Sequence, residues 1–143
     1  MSGIDFSPLS ESTPQGNYIT VPRKPIVANP SQIIVEQLAS SGIKYVFNNS
    51  GSREAGFLDA LHSHPDIHGI LALHEGSVAS MAGGYTQAKL DPAVMVVHLG
   101  AGLAQSLGQF INLFEGSLPV MVITFAGDTG SYYDRIGMDL DHS

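Results

Sequence analysis

AVMVVHLGAGLAQSLGQFINLFEGSLPVMVITFA, residues 93–126, sets two continuous apolar runs on either side of one helical pattern. The runs Ala93–His98 and Val120–Ala126 lack the polar alternation of a half-wet strand, so they suit strands covered on both faces. Between them, Gly100-Ala101-Gly102 forms a tight turn. Leu103, Leu107, Phe110, Ile111 and Phe114 then recur at i, i+4, i+7, i+8 and i+11, which predicts a helix with one apolar stripe. Pro92 and Pro119 mark the strand entrances.

The same alternation extends toward the N-terminus. Glu75 to about Lys89 reads as a helix rich in small residues, preceded by a strand over His68–Leu73. Arg53 to about His62 reads as a helix with Phe57, Leu58 and Leu61 inward, and Pro65 ends that region. Before it lie the turn cluster Asn48–Ser52 and the β-prone run Lys44–Phe47. A first helix starts at Pro30 behind the cap Asn29, runs through Ile33, Ile34, Gln37 and Leu38, and stops at Ser41-Gly42. The order αβαβαβαβ predicts an α/β fold, a doubly wound parallel sheet with helices on both faces. Ligands of such sheets sit beyond the carboxyl ends of the strands. Those ends are Asn48–Ser52, His74–Glu75, His98–Gly102 and Gly127–Thr129.

Composition narrows the function. The 143 residues carry 6 Lys+Arg against 13 Asp+Glu, a net charge of −7, with no basic stripe for nucleic acid. No apolar run approaches the roughly 20 residues that span a bilayer, and residues 1–20 lack the pattern of a signal peptide. The absence of Cys excludes disulfides, thiol catalysis and Cys-ligated zinc, and the expected location is the cytoplasm. Only 13% of residues are charged, about half the roughly 25% of soluble domains. That scarcity points to surface buried against other protein. Residues 1–28, dense in Ser, Pro, Gly, Asn and Thr, read as an extended or disordered arm. The domain proper is expected over 29–130, with 131–143 beginning a further segment.

Glu75 leads the candidate chemistry. A carboxylate at a helix start complements the macrodipole, which is its ordinary role. Here small and apolar neighbours on both sides suggest a dry site, where a carboxyl favours its protonated form and donates a hydrogen bond to a ring nitrogen. His98, at a strand end, is either packed against backbone or a proton carrier. Read alone, Ser52 is a turn serine capping the next helix, and Arg53 beside it is either solvated or a carboxylate ligand. His62, His64 and His68 show no ligand pattern of a known metal site, and Asp134, Asp139 and Asp141 lack calcium-loop spacing.

Three collinear stretches carry a resemblance. ILALHEGSVASMAGGYTQA resembles the glutamate motif of thiamine-diphosphate-dependent enzymes. YVFNNSGSREAGFLDAL is similar to the family's VFG-x-PGS loop, and VMVVHLGAGLAQSLGQFINLFEGSLPVMVITFAG to its glycine-rich segment. Together they cover roughly residues 29–127, and they resemble the N-terminal pyrimidine-binding (PYR) domain, most like that of benzoylformate decarboxylase and acetolactate synthase-type enzymes.

The resemblance implies roles residue by residue. Glu75 would bond the cofactor's aminopyrimidine and stabilise the imino tautomer whose nitrogen removes the thiazolium C2 proton. His98 would exchange a proton with the substrate-derived group, and Ser52 would face the substrate carboxylate. Ser50, Gly51, Gly102 and Gln105 would line the cofactor, with Gln105 where the family often has Asn. Ser50 replaces the family's usual proline, Asn48 its glycine, and Asp128 the Gln after the last strand. His74 would pack behind the cleft. Magnesium and the diphosphate would be held by a Gly-Asp-Gly domain that these residues lack, of the same or another chain. The chain then reads as a fragment of a longer enzyme, or else a separate PYR subunit, within a homo-oligomeric dimer or tetramer. The implied activity is decarboxylation of a small 2-oxo acid. The alternatives are an acetolactate synthase-like carboligase, a dinucleotide-binding turn at Gly100-x-Gly102 (weak, since Gln105 stands at the third glycine) and a domain kept only for assembly.

Overall fold

The structure, a computed structural model, describes residues 27–125. Most of the arm expected over 1–28, Asp128 with the strand end Gly127–Thr129, and the segment 131–143 with Asp134, Asp139 and Asp141 lie outside the described residues. The elements run α1 (Pro30–Ser40), β1 (Tyr45–Asn49), a 3₁₀ turn (Ser52–Glu54), α2 (Ala55–Ser63), β2 (His68–Leu71), α3 (Glu75–Lys89), β3 (Ala93–Val97), α4 (Ala101–Glu115) and β4 (Val120–Ile123).

Local chemistry sets these boundaries. Asn29 Oδ1 accepts from the Gln32 N–H at 2.9 Å while Gln32 Oε1 accepts from the Asn29 N–H at 3.0 Å, a closed capping box behind Pro30. Gly42, at φ 82°, supplies the left-handed residue that turns the chain out of α1. α3 ends on Leu90, itself left-handed at φ 59°.

All four strands are parallel, in the order β2-β1-β3-β4. β3 is the keel, with each of its five residues buried. Val94 and Val96 point to the layer of α1 and α2, against Val35, Leu38, Phe57 and Leu61. Ala93, Met95 and Val97 point the other way, against Val78, Ala79 and Ala82 of α3 and Leu103, Phe110 and Leu113 of α4. The period of two thus splits one apolar run between two cores, as a doubly wound sheet requires.

Four expectations shift. β1 runs on through Asn48 and Asn49, because the buried Asn48 amide donates to the Ile70 carbonyl at 3.3 Å and so extends the ladder with a side chain. β2 and β3 stop short, at Leu71 and Val97, and described strand pairing in β4 ends at Ile123. The helix expected from Arg53 is first a 3₁₀ turn. The single stripe expected on α4 divides: Leu103 and Phe110 pack inward, whereas Leu107, Ile111 and Phe114 are exposed. The inward face is completed instead by Gly102 and Ser106, small residues that let α4 lie close to the sheet and to α3.

Candidate functional site

Chain direction reverses its lateral course between β1 and β3: from β1 the first crossover leads to β2 on one side, and the next returns to β3 on the other. The carboxyl ends of β1 and β3 therefore flank a topological switch point, where crevices open in such sheets. The loop Ser50–Glu54 leaves β1 there, and His98–Gly100 leaves β3.

His98 continues β3 directly. Leu99 behind it is buried, and Gly100, at φ 60°, makes the sharp turn into α4. The Leu103 N–H donates back to the His98 carbonyl at 3.1 Å, which ties the first turn of α4 to the strand end. Glu75 opens α3, half-buried, next to the exposed His74, whose Nδ1 accepts from the Gly76 N–H at 3.0 Å as the helix cap. His74 is exposed and caps α3, and it lines a cavity with Gly76, Ser77 and Gln105.

Gly102 joins the two. A Cβ there would stand 3.2 Å from Glu75 Oε1 and 3.2 Å from His98 Cβ. The bare Cα lets the carboxylate of Glu75 and the Cβ of His98, just after β3, both lie close to the start of α4. This gives Gly102 a reason to be glycine that involves no dinucleotide. No hydrogen bond joins the Glu75 carboxylate to another described residue, so its oxygens are open to an incoming donor or acceptor.

Gly51 touches His98 from the β1 side, where a Cβ would meet Nδ1 at 2.8 Å and Cε1 at 2.9 Å. Ser50 turns back instead, its Oγ donating to Asn48 Oδ1 at 3.2 Å. Ser52 is exposed on the same loop, and its hydroxyl makes no cap hydrogen bond to the turn that follows. Arg53 is half-buried beside it. Gln105 lies one turn along α4, with its side chain exposed and its carbonyl 3.8 Å from where a Gly76 Cβ would be. The structure thus brings Gly51, Glu75, His98 and Gly102 together. It leaves Ser50, Ser52 and Gln105 at the rim.

One residue of this cluster escaped the sequence reading. Glu54 has no exposed surface, and its Oε2 lies 2.9 Å from His98 Nδ1 and accepts from the Gly51 N–H at 2.7 Å. Its signal was the spacing: an acid three residues after Gly51, at a helix start, is placed to reach back to that N–H.

His62, His64 and His68 are dispersed: His64 Nε2 pairs with Glu36 at 3.6 Å, and His68 lies against the Tyr45 ring. Among the described residues no three His, Asp or Glu side chains gather for a metal, and no helix is long and apolar enough to cross a membrane.

Comparison with known proteins meets this geometry. Residues 28–141 match the family described as thiamine pyrophosphate enzyme, N-terminal TPP binding domain. The chain belongs to this family. Among thiamine pyrophosphate enzymes it is 36% identical over 87 residues to a benzoylformate decarboxylase of Pseudomonas aeruginosa, covering 61% of this chain and 16% of that one. It is 27% identical over 94 residues to the acetolactate synthase large subunit of Haemophilus influenzae, covering 66% and 16%. Its fold superposes on the thiamine diphosphate-dependent 4-hydroxybenzoylformate decarboxylase of Rhodococcus jostii RHA1 with a TM-score of 0.73 and 28% identity, over 80% of this chain and 21% of that one. The chain spans about a fifth of the length of such relatives. It is an N-terminal domain of a thiamine pyrophosphate enzyme, related to decarboxylases and to acetolactate synthases alike.

The residues present fit the pyrimidine side of that coenzyme. The half-buried Glu75 carboxylate has no hydrogen-bond partner among the described residues, Gly102 leaves the backbone bare beside it, and Gly51 does the same beside His98.

Proposed function

We propose that this chain is the cofactor-activating half of a thiamine-diphosphate-dependent 2-oxo acid decarboxylase, a lyase. The observation that carries the reading is the meeting of Glu75 and His98 across the bare Cα of Gly102. When bound, thiamine diphosphate supplies the electron sink for loss of carbon dioxide from a 2-oxo acid. Glu75 would hold the aminopyrimidine and exchange a proton with its ring nitrogen through the carboxyl. Gly51, Ser50, Gly102 and Gln105 would form the surface around that ring. His98 gives or takes a proton at the substrate, and the Ser52 hydroxyl orients the substrate carboxylate. Magnesium and the diphosphate would be bound by a diphosphate-binding domain of the same or another chain, in a homo-oligomer, in the cytoplasm.

Relatedness to acetolactate synthases supports a second reading, carboligation, in which the same residues serve carbon–carbon bond formation. Both are tested with the full-length protein, supplied with its partner domain, magnesium and thiamine diphosphate. Release of carbon dioxide is followed over a panel of 2-oxo acids, and products are analysed for new carbon–carbon bonds. Glu75→Gln is expected to lower turnover at least about 100-fold while the fold persists, the scale of a lost proton-transfer group. Unchanged turnover overturns the role of Glu75. Acyloin-type products in place of aldehydes decide for carboligation.

A further inference from the structure

We propose that Glu54 is the positioning residue of His98: its carboxylate holds the imidazole as the Nδ1–H tautomer and so reserves Nε2 for proton exchange. The proposal rests on the reading of His98 as a proton carrier.

The geometry leaves Glu54 little choice. Its side chain has no exposed surface, whereas that of His98 is 30% exposed, so one end of the pair is dry and the other open. A buried carboxylate accepts and does not donate, and it is tolerated only when hydrogen-bonded. Oε2 takes the Gly51 N–H at 2.7 Å, and both oxygens lie within 3.1 Å of His98 Nδ1. The ring nitrogen facing two acceptor oxygens must carry the proton. In neutral imidazole the other nitrogen is then the acceptor. Nε2 lies on the far side of the ring, away from Glu54 by the geometry of imidazole. Gly51 completes the arrangement, since only a residue without Cβ admits the ring at this distance. The same acid therefore fixes the loop after β1 and the ring after β3. Glu54 is the carboxylate in hydrogen-bond contact with His98, whereas Glu75 is near it only through the Gly102 position, where a Cβ would stand 3.2 Å from Glu75 Oε1 and 3.2 Å from His98 Cβ. An orienting carboxylate that sets a histidine tautomer is a recurrent arrangement in proton-transfer sites.

Glu54→Gln tests this in the full-length enzyme with uniformly ¹⁵N-labelled histidine. The amide oxygen keeps the Gly51 N–H, so the amide NH₂ turns to Nδ1 and forces it to accept. Nitrogen NMR, with the His98 signals assigned by their loss in His98→Ala, is expected to show the tautomer inverted. Turnover is expected to fall about 100-fold, the scale of general acid–base catalysis, with thiamine diphosphate affinity within about threefold of wild type because Glu75 is untouched. In the His98→Ala background, Glu54→Gln is expected to add no further loss. A folded Glu54→Gln protein that keeps the Nδ1–H tautomer, or that loses further turnover without His98, overturns the proposal. If that variant does not fold, Gly51→Ala leaves the acid in place and pushes the ring away. Altered His98 nitrogen signals with reduced turnover then support the proposal, and unaltered signals and turnover overturn it. A silent Glu75→Gln with an inverted tautomer in Glu54→Gln sinks the coenzyme reading and leaves the positioning role standing.

Discussion

At the scale of single residues, the candidate site was legible wherever an apolar strand breaks abruptly into a helix. Glu75 and His98 each stand at such a break, and their side chains are found on the same glycine. Glu54 was hidden for a physical reason. An acid in the first turn of a helix is the ordinary complement of the macrodipole, and no one-dimensional pattern distinguishes a solvated carboxylate from one sealed by tertiary structure. Ser52 shows the converse, a residue singled out by motif that stays at the rim. The convergence on Gly102 gives a prediction. Gly102→Ala places a methyl group 3.2 Å from Glu75 Oε1 and from His98 Cβ, so the carboxylate must move by a few tenths of an ångström. Thiamine diphosphate affinity, measured by titration of the full-length protein, is expected to fall at least about tenfold, whereas thermal unfolding shifts little because alanine favours a helix over glycine by about 1 kcal/mol.

Elements were legible in kind and less so in orientation. α4 carries apolar residues on two flanks, and the stronger-looking stripe includes side chains that lie outside: Phe114 is 83% exposed. Burial falls instead on Gly102 and Ser106, whose small size matters more than their hydropathy because α4 must approach α3 closely. On the next helix back, α3, Tyr85 sets its ring against Tyr45 at 5.5 Å and Phe47 at 5.9 Å. Burial, with the charge of Asp91 and the neighbouring Tyr45 phenol, holds the Tyr85 hydroxyl above its ordinary pKa. The sign of the linkage follows. The unfolded chain ionises this tyrosine near pH 10 and the folded chain only above that, so its contribution is intact below about pH 10 and is lost as pH rises through the folded value. Tyr85→Phe is expected to flatten the alkaline loss of stability, read as the urea midpoint at pH 9 against pH 11.

For the molecule as a whole, alternation of strand and helix carried the parallel, doubly wound class, because a parallel neighbour demands a crossover helix. Strand order was not available from the same pattern. Nothing in one dimension says that β3 passes β2 to pair with β1, yet that choice creates the switch point and so decides where the loops meet. All five residues of β3 are buried, and Met95 lies fully buried at its middle. Met95→Ala is expected to cost about 2–5 kcal/mol, seen as a lowered midpoint in chemical denaturation of the full-length protein.

The wholly interior β3 passes into His98 without a flexible joint. Heat that loosens the centre must therefore dismantle the crevice in the same event, leaving no tepid, half-melted form that still works. Enzymatic output and spectroscopic folding should vanish along one superimposable curve.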